Sequence, residues 1–239
     1  MRKIRYIFLV LMTCSLTLVQ AQTKIPSTSE RYIPKAIDLG LPSGTLWADR
    51  NMAVNDQPTN FGEYYSWGNV LSDAEMTTYD EFNQRMMTSW KGYKYGTGPK
   101  SLTKYCTNSN FGTKDNKTHL DPEDDAATAY TKHHKAPIWD AQWHIPTDKE
   151  FAELMEKCKW EWKNGGYQVT GPNGKSIFLP AAGFAGEKSP SSGYYWTSTL
   201  CPDFPCYAYA VMFGDTFIGW NNASRYQGYS IRPVRKREK

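Results

Sequence analysis

Cys106, Cys158, Cys201 and Cys206 are the side chains best suited to covalent or soft-metal chemistry. They contain no C-x-x-C pair, so neither a zinc ribbon nor a thioredoxin-type centre fits. Cys201 and Cys206 are close enough along the chain to pair locally. Cys158 falls on the apolar side of an expected helix and reads as a buried free thiol. His133-His134 would ligate a metal only with partners from elsewhere in the fold, and a polar loop is the simpler reading. Asp121, Glu123, Asp124 and Asp125 offer the hard oxygens that suit calcium, although helix capping accounts for the same acids. Gly96-Thr97-Gly98-Pro99-Lys100-Ser101 lacks Walker spacing and a strand–helix setting, so it reads as a solvated turn. H-E-x-x-H, G-x-S-x-G and EF-hand patterns are absent. No motif calls for a cofactor, and calcium is the one ion the residues alone leave open.

The aromatic side chains carry a different message. Nine Trp and sixteen Tyr exceed what a core of this size needs. Trp139, Trp143, Trp160, Trp162 and Trp196 lie in expected elements and read as core. The stretch 213–226 differs, because it mixes Phe217, Trp220 and Tyr226 with Asp215, Asn221, Asn222 and Ser224. Rigid rings give contact area at low entropy cost, and small polar groups add adaptable hydrogen bonds. That composition fits a binding surface, and it equally fits an ordinary polar hairpin with two tucked rings.

The frame that must carry these residues begins after a leader. Arg2, Lys3 and Arg5 precede an apolar run to Val19, and Val19-Gln20-Ala21 ends in small residues, so residues 1–21 read as a signal peptide. Lipidation at Cys14 is disfavoured by Thr13 before it and by the apolar run continuing past it. The expected location is outside the cytoplasm: extracellular, periplasmic or on the outer surface. No other segment has the length to span a bilayer. Export makes the four remaining cysteines an even set that could form two disulfides in three connectivities.

The whole chain has 28 Lys+Arg and 24 Asp+Glu over 239 residues. Without the three leader cations the balance falls to about +1, which argues against a nucleic-acid binder. About 218 residues remain, enough for a core without staples. Residues 22–35 form a polar arm containing Pro26 and Pro34, and 36–239 are expected to be one domain.

Within that domain, 36–48 reads as strand, Pro-Ser-Gly turn, strand. Residues 61–68 read as strand or ordered loop. Residues 69–120 show no sustained period and read as turns held by Trp90, Tyr93, Tyr95 and Tyr105, or as a packed functional excursion. A helix is expected to start at Asp121-Pro122. A second begins at the Thr147/Glu150 capping box, carries Phe151, Leu154, Met155, Cys158 and Trp162 on one stripe, and stops at Asn164-Gly165-Gly166. Period two then takes over, with a hairpin about Gly171-Pro172-Asn173-Gly174 and strands near 194–200, 207–213 and 226–234. The order predicts an α+β fold with two helices beside antiparallel strands.

Seven segments in order resemble the Fibrobacter succinogenes major paralogous domain family of exported Bacteroidetes proteins. They are AIDLGLPSGTLWA (36–48), FGEYYSWG (61–68), LDPEDDAA (120–127), WHIPTDKEFAEL (143–154), VTGPNGKSIFLPAAG (169–183), YYWTST (194–199) and GYSIRPV (228–234). The resemblance implies the formylglycine-generating-enzyme branch of the C-type-lectin-like fold and a secreted or surface protein binding an extracellular glycan or protein. The ending is also similar to ligand-binding proteins varied by diversity-generating retroelements. By that similarity Tyr207, Tyr209, Asp215, Phe217, Trp220, Asn221, Asn222 and Tyr226 are displayed, while Arg225, Gly228, Arg232 and Pro233 are frame.

The same resemblance offers an enzymatic alternative. Formylglycine-generating enzymes hold copper between two cysteines separated by four residues, the spacing of Cys201 and Cys206, and paired thiolates suit Cu(I). Tyr207-Ala208-Tyr209-Ala210 stands where those enzymes carry arginines, and Ser198-Thr199 replaces their Gly-Gly-Ser lead-in. The expectation is therefore a non-catalytic binding module, with a copper-dependent thiol oxidase as its rival. A structural subunit that pairs through the 22–35 arm is a third possibility.

Overall fold

The computed structural model describes residues 33–53, 61–77, 89–133 and 139–237. The leader with Cys14, most of the polar arm, and His134 lie outside the described residues. Strands β1 (Ala36–Asp38) and β2 (Thr45–Ala48) flank the expected turn. They pair antiparallel, with Ile37 opposite Trp47. After β3 (Tyr64–Tyr65) comes a short helix α1 (Asp73–Thr77), whose residues carry no periodic signal.

Residues 89–125 contain only 3-10 turns and isolated bridges. A relay of edge-to-face rings holds them, as expected. Trp90 meets Tyr93 at 5.4 Å, Tyr93 meets Tyr95 at 6.2 Å, Tyr95 meets Tyr105 at 5.5 Å, and Tyr105 meets Trp67 at 5.1 Å.

Helix α2 (Ala126–His133) begins later than Asp121-Pro122 suggests. Asp125 is its cap: Oδ1 accepts from the amides of Ala127 and Thr128, each at 3.0 Å. Asp121 instead closes a turn, its carbonyl accepting from the amides of Asp124 and Asp125. Helix α3 (Asp148–Lys157) has the expected reciprocal Thr147/Glu150 box. It stops at Cys158, short of the anticipated end. Trp162 lies in strand β4 (Lys159–Lys163), where Trp160 and Trp162 alternate inward between exposed Lys159, Glu161 and Lys163. The Trp160 indole N–H donates to the Leu154 carbonyl at 3.2 Å and so satisfies part of the helix end. Asn164 and Gly165, at φ of 53° and 74°, turn β4 into β5 (Gly166–Thr170) as a two-residue hairpin and do not end a helix.

Strand β6 (Ser176–Pro180) completes the Gly-Pro-Asn-Gly hairpin. Then follow β7 (Gly193–Leu200), β8 (Tyr207–Gly214), β9 (Phe217–Ser224), β10 (Tyr229–Ser230) and β11 (Val234–Lys236). The single strand expected over 226–234 is thus two short ones in different sheets. Three sheets result, ordered β1-β2-β11, β3-β10-β7-β8-β9 and β4-β5-β6. All pairings between these strands are antiparallel except β10 with β7; the isolated Leu102–Gly112 and Gly183–Gly193 bridges are parallel too. The fold is α+β, as expected. Among the described residues no helix is long and apolar enough to cross a membrane.

The five-stranded sheet divides the core. Trp196, Leu200, Ala208 and Ala210 face one cluster with Trp67, Tyr105, Trp139, Trp143 and Ile231. Tyr195, Val211 and Phe213 face the other, with Trp47, Phe151, Leu154, Val169 and Leu179. Alternation with period two sends neighbours such as Tyr195 and Trp196 to opposite sides.

Two arginines fix this arrangement from within. Arg225 is fully buried. Its Nε donates to the Tyr93 hydroxyl (2.9 Å), Nη1 to the carbonyls of Tyr105 (3.0 Å) and Pro205 (2.9 Å), and Nη2 to that of Lys104 (3.0 Å). Its guanidinium carbon lies 5.0 Å from the ring centre of Trp67 and 5.1 Å from that of Tyr93. Arg232 likewise donates to Asn51 Oδ1 (2.9 Å) and to the carbonyls of Ala48 (3.0 Å) and Phe178 (2.7 Å). Removing Arg225 strands several buried acceptors, each costing about 1–3 kcal/mol. Arg225→Met is expected to lower unfolding free energy by at least about 3 kcal/mol in urea titrations. Arg225→Lys should recover little, since one ammonium cannot span the fork. A loss below about 1 kcal/mol for Arg225→Met would show the site to be dispensable.

Candidate functional site

Strands β8 and β9 form one hairpin joined by Asp215-Thr216, with Tyr207 opposite Ser224 and Gly214 opposite Phe217. Residues directly opposite in an antiparallel pair share a face. Tyr207, Tyr209, Trp220 and Asn222 therefore share one face, beyond buried Val211 and Phe213. Phe217 and Asn221 belong to the other face, with Ala208, Ala210 and Met212. The eight side chains expected to be displayed are consequently not one surface.

Trp220 and Phe217 are 45% and 43% exposed, and Asp215 and Asn222 are exposed. Tyr207 and Tyr209 are half-buried; the Tyr209 ring lies edge-on to Trp220 at 6.4 Å. Asn221 is half-buried and reaches the Tyr229 hydroxyl. Tyr226 is half-buried against Trp90, with ring centres 5.4 Å apart, so it belongs to the aromatic relay. The residues named as frame behave as frame: Arg225, Gly228, Arg232 and Pro233 are all buried. Gly228 leaves no room for a Cβ against Asp73 and Ala185.

Two clefts flank this hairpin region and helix α3. One, of about 530 Å3, lies at the hairpin tip between Asp215 and Phe217, Trp162 of β4, and Pro190-Ser191-Ser192. The sequence placed Trp162 in the core, and nothing local in 190–192 marks it as part of a site. The other cleft, of about 550 Å3, collects Ser43, His144, Thr147, Lys149, Glu150, Glu153 and Lys236.

These residue types suggest a hydrolytic constellation, but the hydrogen bonds assign them otherwise. Ser43 Oγ donates to Glu153 Oε2 (2.5 Å), and the Ser43 amide donates to Oε1 (2.9 Å). His144 Nε2 lies 3.3 Å from Glu150, which also accepts from Lys236 Nζ (2.9 Å) and from the Thr147 amide (2.9 Å). No hydrogen bond joins Ser43 to His144 among the described residues, so no nucleophile–base pair forms. Glu150 is the junction of helix α3, β11 and His144. Only its capping role was legible.

Cys201 and Cys206 bracket the tight turn between β7 and β8, where the Cys201 amide donates to the Tyr207 carbonyl at 3.1 Å. Cys106, Cys158, Cys201 and Cys206 are free thiols, so the disulfides that the count allows are not formed. Cys158 is half-buried, less enclosed than expected. Cys201 lies against the Tyr209 hydroxyl. Cys206 packs with Leu102 and Cys106. Burial pushes the Cys206 thiol up, only partly offset by its own backbone amide and by Arg225. Neither thiol lines either cleft.

Of the acidic run, Asp125 caps helix α2 and the other three acids do not. Asp121, Glu123 and Asp124 converge, and Lys104 Nζ stands among them at 2.6, 3.6 and 2.5 Å. Asp124 also accepts from Lys94 (2.8 Å), from the Tyr105 hydroxyl (2.6 Å) and from the Tyr95 hydroxyl. Burial opposes the charge on Asp124, but these donors outweigh it and hold the carboxyl well below the usual range. A tethered ammonium thus takes the position that a cation on these carboxylates would need. His133 is exposed in the last turn of α2.

Compared with known proteins, the chain matches no family model, no curated sequence and no solved structure.

Two pH signatures come from the buried groups. Burial opposes protonation of His144, but Glu150 and then Asp125 outweigh it and raise its pKa, against Lys236. A raised histidine contributes stability that is complete below its unfolded value near 6.5 and lost as pH rises through the folded value. The stability gap between wild type and His144→Gln should be widest below pH 6.5 and close at higher pH in urea titrations. A pH-independent gap would contradict this. Asp73 has both carboxylate oxygens buried without a partner, and burial pushes it up to about 7. The folded state then holds a proton that the unfolded state has lost between about pH 4 and 7, so stability falls with pH across that window. Asp73→Asn should raise the melting temperature at pH 8 and have little effect at pH 4. No gain at pH 8 would show that Asp73 finds a partner in solution.

Proposed function

We propose that this chain is a secreted or surface-exposed, non-catalytic ligand-binding module. On this proposal its frame is a C-type-lectin-like arrangement of the kind found in the Fibrobacter succinogenes major paralogous domain family. Its ligand, an extracellular glycan or protein, is met by the β8–β9 hairpin. The observation that carries the proposal is the division of labour along β9. Trp220 and Asn222 project outward, while Ala223 and Arg225, a few residues on, are buried and Arg225 is bonded at every nitrogen. Large exposed rings on a backbone that cannot shift are what low-entropy recognition requires. Tyr207 and Tyr209 extend the same face, and the Tyr209 ring stands edge-on beside Trp220.

Trp220→Ala is expected to abolish binding on glycan and protein arrays. Trp220 is nearly half exposed, meets Tyr209 edge-on and belongs to neither large core cluster, so stability should move by about 0.5 kcal/mol. The melting temperature should stay within about 2 °C. A fall of more than about 5 °C would mark Trp220 as a packing residue. Array binding unchanged by Trp220→Ala would move the contact surface away from the hairpin face.

A further inference from the structure

The cleft at the hairpin tip differs chemically from the Trp220 face. Trp162 and Phe217 line it together with Asp215, Ser191, Ser192 and Pro190. Its volume, about 530 Å3, falls within the roughly 300–1,000 Å3 of small-ligand pockets. Among the described residues no basic side chain lines it.

Its walls are tied in place. Tyr167 donates its hydroxyl to the Asp215 carbonyl at 3.5 Å, which holds the hairpin tip against β5. The Gly183 amide donates to the Ser192 carbonyl at 2.7 Å, and the Ala181 amide to the Gly165 carbonyl at 2.8 Å. The Phe217 ring lies so close over Gly214 that a Cβ there would come within 2.6 Å of it. Trp162 is braced edge-on by Tyr167 at 5.1 Å. A ligand entering the cleft meets groups already in position, so little ordering entropy is lost on binding.

We propose that this cleft binds an uncharged pyranose ring of a glycan. Such a ring has a C–H face that packs on an aromatic surface and a rim of hydroxyls that both donate and accept. Phe217 and Trp162 supply the apolar surface. Asp215 accepts from sugar hydroxyls, and Ser191 and Ser192 donate or accept as needed. Asp215 with no cation opposite it repels uronates and phosphorylated sugars. The hydroxyls and the open rim fit a polyol better than an ammonium ion, which a closed ring of aromatics would hold. The inference rests on the hairpin being the ligand-binding element, and it narrows the ligand class.

The test titrates the full chain without its leader with neutral gluco-, manno- and xylo-oligosaccharides, followed by saturation-transfer NMR and calorimetry. Galacturonate oligomers and choline serve as charged counterparts. At least one neutral series is expected to bind. Phe217→Ala and Asp215→Ala should each weaken it at least about tenfold, and Lys159→Ala, on the exposed side of β4, should leave it unchanged. Near-UV circular dichroism equal to wild type certifies that each variant is folded. Sugar binding lost in Trp220→Ala but kept in Phe217→Ala overturns the cleft assignment and leaves the hairpin proposal standing. The same holds for a protein ligand lost in Trp220→Ala when no neutral sugar binds. Choline binding without sugar binding also overturns it. Absence of binding to every sugar and protein probe overturns both proposals.

Discussion

A guanidinium cannot shed its proton, so an arginine buried without a carboxylate must be satisfied by whatever acceptors the backbone can bring to it. Arg225 imposes that requirement on three parts of the chain at once. Lys104 and Tyr105 come from the irregular excursion, Pro205 from the turn before β8, and Tyr93 from the first turn of the excursion. Because Arg225 follows directly on β9, these carbonyls are gathered around the foot of the β8–β9 hairpin. Alternative packings of the excursion would leave a charge in the core with unmet donors, a cost larger than the stability of most domains can absorb. Arg232 repeats the device on the other side of β10, tying Asn51 and the ends of β2 and β6. Burial lowers its pKa only to about 10, so it too keeps its charge at neutral pH.

The excursion itself would be hard to explain without these anchors, since a stretch this long without regular structure rarely persists in a compact unit. Its ring relay gives apolar contact, and Asp124 supplies the polar counterpart by accepting from two ammonium groups and two phenols. Tyr105 belongs to both systems. Its hydroxyl donates to Asp124, its carbonyl accepts from Arg225, and its ring meets Trp67. Networks of this kind polarise one another and hold one geometry well, but only when every member is satisfied.

Much of the frame was legible because it follows local rules. The Thr147/Glu150 box, the Gly-Pro-Asn-Gly hairpin and the strands around Trp196 and Val211 are each set by a few adjacent residues. The failures are equally physical. Trp162 fits an i+11 helical stripe as well as a period-two strand, and only Asn164-Gly165 with positive φ decides between them. Asp121-Pro122 looks like a helix start, but the better cap is Asp125, whose second oxygen is engaged by the Ile145 amide from a distant segment. The displayed set follows from a resemblance, whereas strand alternation sorts it by parity. Asn221 and Phe217 go to one face, and Trp220 and Asn222 to the other. The tip cleft joins β4, the 190–192 segment and the hairpin turn, which no local pattern relates.

That parity has a consequence for how the hairpin can change. Main-chain hydrogen bonds between β8 and β9 do not depend on the identity of the outward side chains, and the hairpin's foot is fixed by Arg225 and its tip by Tyr167. On the Trp196 side of β8 and β9 the buried positions Ala208, Ala210 and Ala223 are small, so the sheet sits close upon that cluster and has no slack there, while Val211 and Phe213 fill the core on the other side. Outward substitutions at Trp220 or Asn222 therefore alter what the surface offers without reaching the core, whereas a larger residue at Ala210 would lever the sheet off it. Each face is packed along part of its length, the Trp220 face at Val211 and Phe213 and the Phe217 face at Ala208, Ala210 and Ala223. Stability and recognition are thus assigned to different positions along both faces of the same strands.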